Sequence, residues 1–176
     1  MSLGLKALVL PLCIGFGLVP PGPAWAGRDD ERDVAAIRKV VELFRTSLID
    51  KDRATFLGLF VSEDPREVTW RFVIDDAQRA RALATKPGTR KAGYSPGFNH
   101  VSFIDRIVSR DESSKERFSD VDIDTDGEVA SARFDYVFLV AGRPMNRGRE
   151  MWQLLRTEDG WKIVSVVWSI RDPRAP

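Results

Sequence analysis

The sequence predicts an α+β fold, helices first and antiparallel strands second, on three observations. Apolar residues recur at helical spacing from Val34 to Leu48 and again from Val101 to Val108. From Phe118 onward the period switches to two. Asp126-Gly127, Gly142-Arg143-Pro144 and Asp159-Gly160 then supply reversals between long alternating runs.

Taken in order, the first segment reads as an address. Lys6 is followed by the apolar run Ala7–Val19, a Pro/Gly-rich stretch and Ala24-Trp25-Ala26. A positive start, an apolar stretch too short to span a bilayer and an A-x-A site describe a cleaved signal peptide over residues 1–26. The expectation is an exported protein, periplasmic or extracellular, whose residues 27–176 form one domain. Lys6 and Cys13 leave with the leader. The 27 basic and 26 acidic residues of the full chain thereby become 26 of each, and the lone cysteine is lost.

Acids at Asp29, Asp30, Glu31 and Asp33 suit a helix N-terminus. The stripe Val34, Ile37, Val40, Val41, Phe44 and Leu48 makes the following helix amphipathic. Asp50-Lys51-Asp52 interrupts it, and Asp52 caps a short second helix over Arg53–Phe60. Val68–Val73 reads as a strand, Asp75–Ala84 as a polar helix and Lys86–Ser95 as a loop. Another helix is expected to start at Ser95-Pro96, with His100 on the apolar face of Ile104. The basic residues Arg79, Arg81, Lys86, Arg90 and Lys91 read as solvated, with a gate for an anionic ligand as the alternative.

Three long strands follow: Glu128–Val140, Asn146–Arg156 and Trp161–Arg171. Centring the second reversal near Arg143 places Tyr136 opposite Glu150, Phe134 opposite Trp152 and Ala132 opposite Leu154. Centring the third on Asp159 sets Leu154 beside Val164, Trp152 beside Val166 and Glu150 beside Trp168. One face then reads Ala132, Phe134, Tyr136, Phe138, Trp152, Leu154, Val164, Val166, Trp168 and Ile170, the core side. The other mixes Arg133, Asp135, Arg149, Gln153 and serines with Val137, Met151 and Val167.

Glu150 interrupts the apolar face. A carboxylate among aromatic rings is costly unless paired or protonated, and a raised pKa is what acid–base chemistry near neutrality needs. The alternatives are a partner such as Arg71 or Arg147, or a bulge that turns Glu150 outward. His100 has the chemistry for proton shuttling; the competing reading is a core histidine satisfied by a backbone carbonyl. Trp70, Trp152 and Trp168 either wall a pocket or simply fill the core.

Charge balance argues against an electrostatic nucleic-acid binder. One cysteine and one histidine exclude an internal disulfide, a thiolate zinc site and a multi-histidine metal cluster. Asp122–Gly127 imitates the start of a calcium loop, but Arg133 stands where the bidentate Glu belongs. No nucleotide, nucleophile-elbow or zinc motif is present, so no metal and no cofactor is expected.

Phe44–Asp52 with Phe56, Leu59 and Phe60, and the closing Asp159-Gly160-Trp161-Lys162-Ile163-Val164, resemble the NTF2-like (SnoaL-like) superfamily. The resemblance implies a curved sheet wrapped around a helix, a cone with an apolar pocket at its wide end, and homodimers through the sheet. Relatives of this kind include ketosteroid isomerases, epoxide hydrolases, polyketide cyclases and non-catalytic binders, so fold leaves function open.

The leading expectation is an exported binder of a small apolar or amphipathic ligand, with no partner in nucleic acid or membrane. Trp70, Phe134, Trp152 and Trp168 would form its walls, and Glu150, Tyr136 and His100 its polar groups. The second is an isomerase or hydrolase in which Glu150 moves a proton and Tyr136 donates a hydrogen bond. The third is a dimeric interaction module using the outer sheet face.

Overall fold

The computed structural model describes residues 29–93 and 97–174, so the expected leader lies outside the described residues. Helices α1 (Glu31–Asp50) and α2 (Arg53–Gly58) come first, then strand β1 (Thr69–Ile74), helix α3 (Asp76–Thr85) and strand β2 (Ala92–Gly93). Helix α4 (His100–Val108) precedes four long strands: β3 (Ser114–Thr125), β4 (Val129–Val140), β5 (Arg143–Thr157) and β6 (Gly160–Ile170). They form one six-stranded sheet in the order β2-β1-β6-β5-β4-β3. Neighbours run antiparallel except β1 and β6, which run parallel. The architecture is α+β, a curved, unclosed sheet packed against helices.

Each helix starts where a short polar side chain meets a free backbone N–H. Asp30, Asp52 and Asp75 accept from the N–H of Arg32, Thr55 and Gln78 at 2.8, 3.0 and 2.7 Å. Asn99 accepts from Ser102 N–H, while the Ser102 hydroxyl accepts from Asn99 N–H, both at 3.0 Å. This reciprocal box starts α4 at His100 rather than at the expected Ser95-Pro96. The second helix also stops early. Leu59 caps it, and Phe60 passes to the sheet, bridging to Ile163.

Helix α1 lays Ile37, Val40, Val41, Phe44 and Leu48 into the hollow of the sheet. The Phe44 ring lies 4.9 Å from Phe56 and 4.8 Å from Trp152, and Phe134 lies 4.4 Å from Phe118. No helix among the described residues is long and apolar enough to cross a membrane.

The register differs from expectation by two residues on one side of β5. Tyr136 pairs with Gly148, Phe134 with Glu150 and Ala132 with Trp152. The reversal falls on Ala141-Gly142, both at positive φ, instead of on Arg143, which shifts the pairing by three residues, and an irregularity at Phe138/Leu139 gives one of them back. A slip of two leaves every side chain on its own face. On the other side, Glu150 pairs with Trp168 and Trp152 with Val166, as the turn at Asp159 predicts. A bulge then replaces the expected Leu154–Val164 pair by Leu154–Ile163. Ile163 is fully buried and Val164 only half.

Candidate functional site

The inner face of the sheet and α4 enclose a cavity of about 190 Å³. Its walls are aromatic: Trp70 from β1, Phe138 and Tyr136 from β4, Trp168 from β6, and Phe98 and Phe103 from the α4 region. Trp70 and Trp168 meet edge to face at 5.0 Å, and Phe103 lies 5.4 Å from Trp70. Alternation along β5 brings Glu150 to this face, and alternation along β3 brings Glu116 there.

Both carboxyl groups are buried, Glu116 at 5% exposure and Glu150 at 4%. Oε2 of Glu150 accepts from the indole N–H of Trp152 at 2.7 Å, two residues along the same strand. Burial raises the Glu150 pKa to about 7, with the Trp152 bond pulling the other way. Burial, and then the charge of Glu150, push Glu116 well above the ordinary carboxyl range. Oε2 of Glu116 has no hydrogen-bond partner among the described residues, nor does the Trp70 indole nitrogen. Two carboxyls in one apolar hollow resist double ionisation, so the pair retains a proton at neutral pH.

The arginines named as partners for Glu150 have bonds elsewhere. Arg71 donates to the Trp70 carbonyl at 3.2 Å and Arg147 to the Asp172 carbonyl at 3.4 Å. Arg106 and Arg110 line the cavity where α4 ends, and the Arg106 guanidinium lies 5.4 Å from the Phe98 ring centre. A shielded acid pair beneath an aromatic wall can hold a hydrogen-bond donor or exchange a proton with one.

Of the residues singled out from sequence, Glu150, Tyr136, Trp70 and Trp168 meet at the cavity. Tyr136 hydroxyl donates to the Ser169 carbonyl at 3.1 Å, and burial with the two nearby carboxyls holds its proton on. The others are corrected by position. Phe134 and Trp152 are fully buried behind the wall, where they pack on each other at 4.9 Å. Of the two, only Trp152 reaches the site, through its N–H.

His100 lies outside the lining. Its ring packs 4.6 Å from Phe60, its Nε2 bonds to the Ser62 carbonyl at 2.9 Å, and burial lowers its pKa. That is the core-histidine reading. Sequence reasoning missed Glu116, Phe98, Phe103, Arg106 and Arg110. The signal for Glu116 was present: stepping back by two from Phe118 along the alternation reaches it.

No family model and no curated protein matches the sequence. Solved structures do resemble the fold. An NTF2-like protein with a cystatin-like fold from Novosphingobium aromaticivorans is 15% identical, over 82% of this chain and 86% of its own, with a TM-score of 0.56. A protein of the NTF2-like family from Streptomyces avermitilis, described as a candidate dehydratase, is 18% identical over 81% and 98%, TM-score 0.57. A candidate scytalone dehydratase from Novosphingobium aromaticivorans is 13% identical over 81% and 86%, TM-score 0.55. Identities this low speak for fold alone. The chain has the NTF2-like cone fold, with its aromatic cavity on the concave side of the sheet.

Proposed function

We propose that this protein is an exported binder of a small, largely apolar or amphipathic molecule, held in the aromatic cavity with Glu116 and Glu150 as polar anchors. The observation that carries the reading is a buried Glu116 carboxyl, one oxygen of which has no partner among the described residues, on the wall of a 190 Å³ cavity. An apolar cavity of about 150 Å³ accepts benzene, so this space suits one substituted ring.

The test is a titration with 2-phenylethanol, read by the fluorescence of Trp70 and Trp168. The expected result is saturable binding that Trp168→Ala abolishes and that the double variant Glu150→Gln, Tyr136→Phe weakens. Unchanged affinity in both variants would mean the site lies elsewhere.

A second reading, supported by the pKa of Glu150 near 7, makes the same site a proton-transfer centre of an isomerase or hydrolase. Carbon-detected NMR titration of the carboxyl decides it. A Glu150 pKa near 4.3, the ordinary value, removes the driving chemistry. A second copy of the chain on the outer sheet face belongs to the proposal too. Met151 and Val167 pair across strands there at 54% and 42% exposure.

A further inference from the structure

The cavity's acid pair constrains the chemistry of what it binds. Building on the binding site just proposed, we infer that the ligand is a small organic ammonium compound, a ring-bearing amine whose charged nitrogen sits at the carboxyl groups of Glu116 and Glu150. The geometry supplies what such a ligand needs. Two carboxyl groups at 4–5% exposure line one cavity, and an oxygen of Glu116 has no partner among the described residues. An ammonium carries three donors and one positive charge, which answers both the free acceptor and the buried negative charge. An alcohol offers a single neutral donor. A carboxylate would add a third acid to a site already unable to ionise both of its own.

The walls favour the same charge. Trp70, Trp168, Phe103 and Phe138 surround the space, and aromatic faces attract desolvated cations, tryptophan most strongly. β3 gives Glu116, β4 gives Tyr136, and β5 gives Glu150 with the neutral Asn146. β1, β6 and α1 present aromatic and aliphatic side chains, Trp70, Trp168 and Phe44 among them. The opposing charges, Arg106 and Arg110, come from the end of α4. Arg106 is exposed, so solvent and salt screen it; Arg110 is half-buried and is the stronger opposing charge, while the carboxyls, at 4–5% exposure, lie where screening is weakest. His100 is turned away, bonded to Ser62.

Titrating the wild-type chain with three compounds of one shape tests the inference: phenethylammonium, 2-phenylethanol and phenylacetate. At about pH 8 the ammonium compound should bind at least tenfold more tightly than the alcohol, with phenylacetate weakest. Its affinity should fall about tenfold on going to pH 6, because the pair then holds its second proton, while that of the alcohol stays level. Calorimetry in buffers of different ionisation enthalpy should show proton release near pH 7 with the ammonium compound only. Glu116→Gln and Glu150→Gln should each cost the ammonium compound at least tenfold more affinity than they cost the alcohol.

Alcohol binding as tight as ammonium binding, or ammonium binding level with pH, overturns the charge assignment and leaves the cavity reading standing. Absence of saturable binding for all three overturns both. The wild-type measurements decide the matter even where a variant fails to fold.

Discussion

At the scale of single residues, the molecule carries an internal conflict between Glu116 and Glu150. A carboxyl whose pKa is raised by folding binds its proton more tightly in the native state. Its contribution is complete below the unfolded value and is lost as pH rises through the folded value. For Glu150 that window runs from about 4.5 to about 7. Unfolding free energy should therefore fall between pH 5 and pH 8, on the order of 3 kcal/mol for a shift of that size. Denaturant melts at the two pH values read it directly, and Glu150→Gln should remove the share due to Glu150 while the slope due to the buried Glu116 remains. A wild-type chain equally stable at both would contradict the buried pair. Glu150 was legible because one acid on an apolar face is conspicuous. Its partner was not, because apolar alternation begins only at Phe118, and Ser114 and Glu116 are too polar to announce a buried strand face. The walls from the α4 region were hidden for a different reason: nothing local says which helix covers a given stretch of sheet.

Among the elements, β5 does most to organise the site, and Gly148 shows how tightly it is fitted. A Cβ there would stand 1.9 Å from the Ser169 carbonyl oxygen and 2.8 Å from its carbon, both backbone atoms. The same oxygen receives the Tyr136 hydroxyl, and Tyr136 pairs directly with Gly148. Gly148→Ala should cost about 1–3 kcal/mol by forcing β5 and β6 apart. Gly58→Ala, at an open helical position, should be neutral or mildly stabilising and serves as the control in the same thermal melts. Equal stability of the two variants would show that the strands separate freely. The long strands and their faces were readable because hydrophobic period and turn residues agree. Exact pairing was not. The irregularity at Phe138/Leu139 and the bulge at Gln153/Leu154 bend the sheet, and each belongs to a pairing of two strands that no single strand encodes.

For the whole molecule, curvature leaves the inner face to the helices and the cavity, and the outer face to solvent. Two apolar cross-strand pairs remain on that outer face, Val129 with Leu155 and Met151 with Val167. The native mass of the protein recovered from the exported fraction tests two expectations together. It should equal twice the mass of a chain lacking residues 1–26, and Met151→Glu should halve it. A monomer that retains the leader would count against both. The sheet itself holds the chain from Asp29, whose N–H donates to the Thr125 carbonyl at 2.8 Å. The 2.7 Å contact between Trp152 and Glu150 ties an indole N–H to the ionising carboxyl. The indole proton ends on the very oxygen whose charge changes near neutrality, so its resonance is a built-in indicator of the ionisation state. Occupancy of the cavity can be watched from behind its wall, with no label attached to ligand or protein.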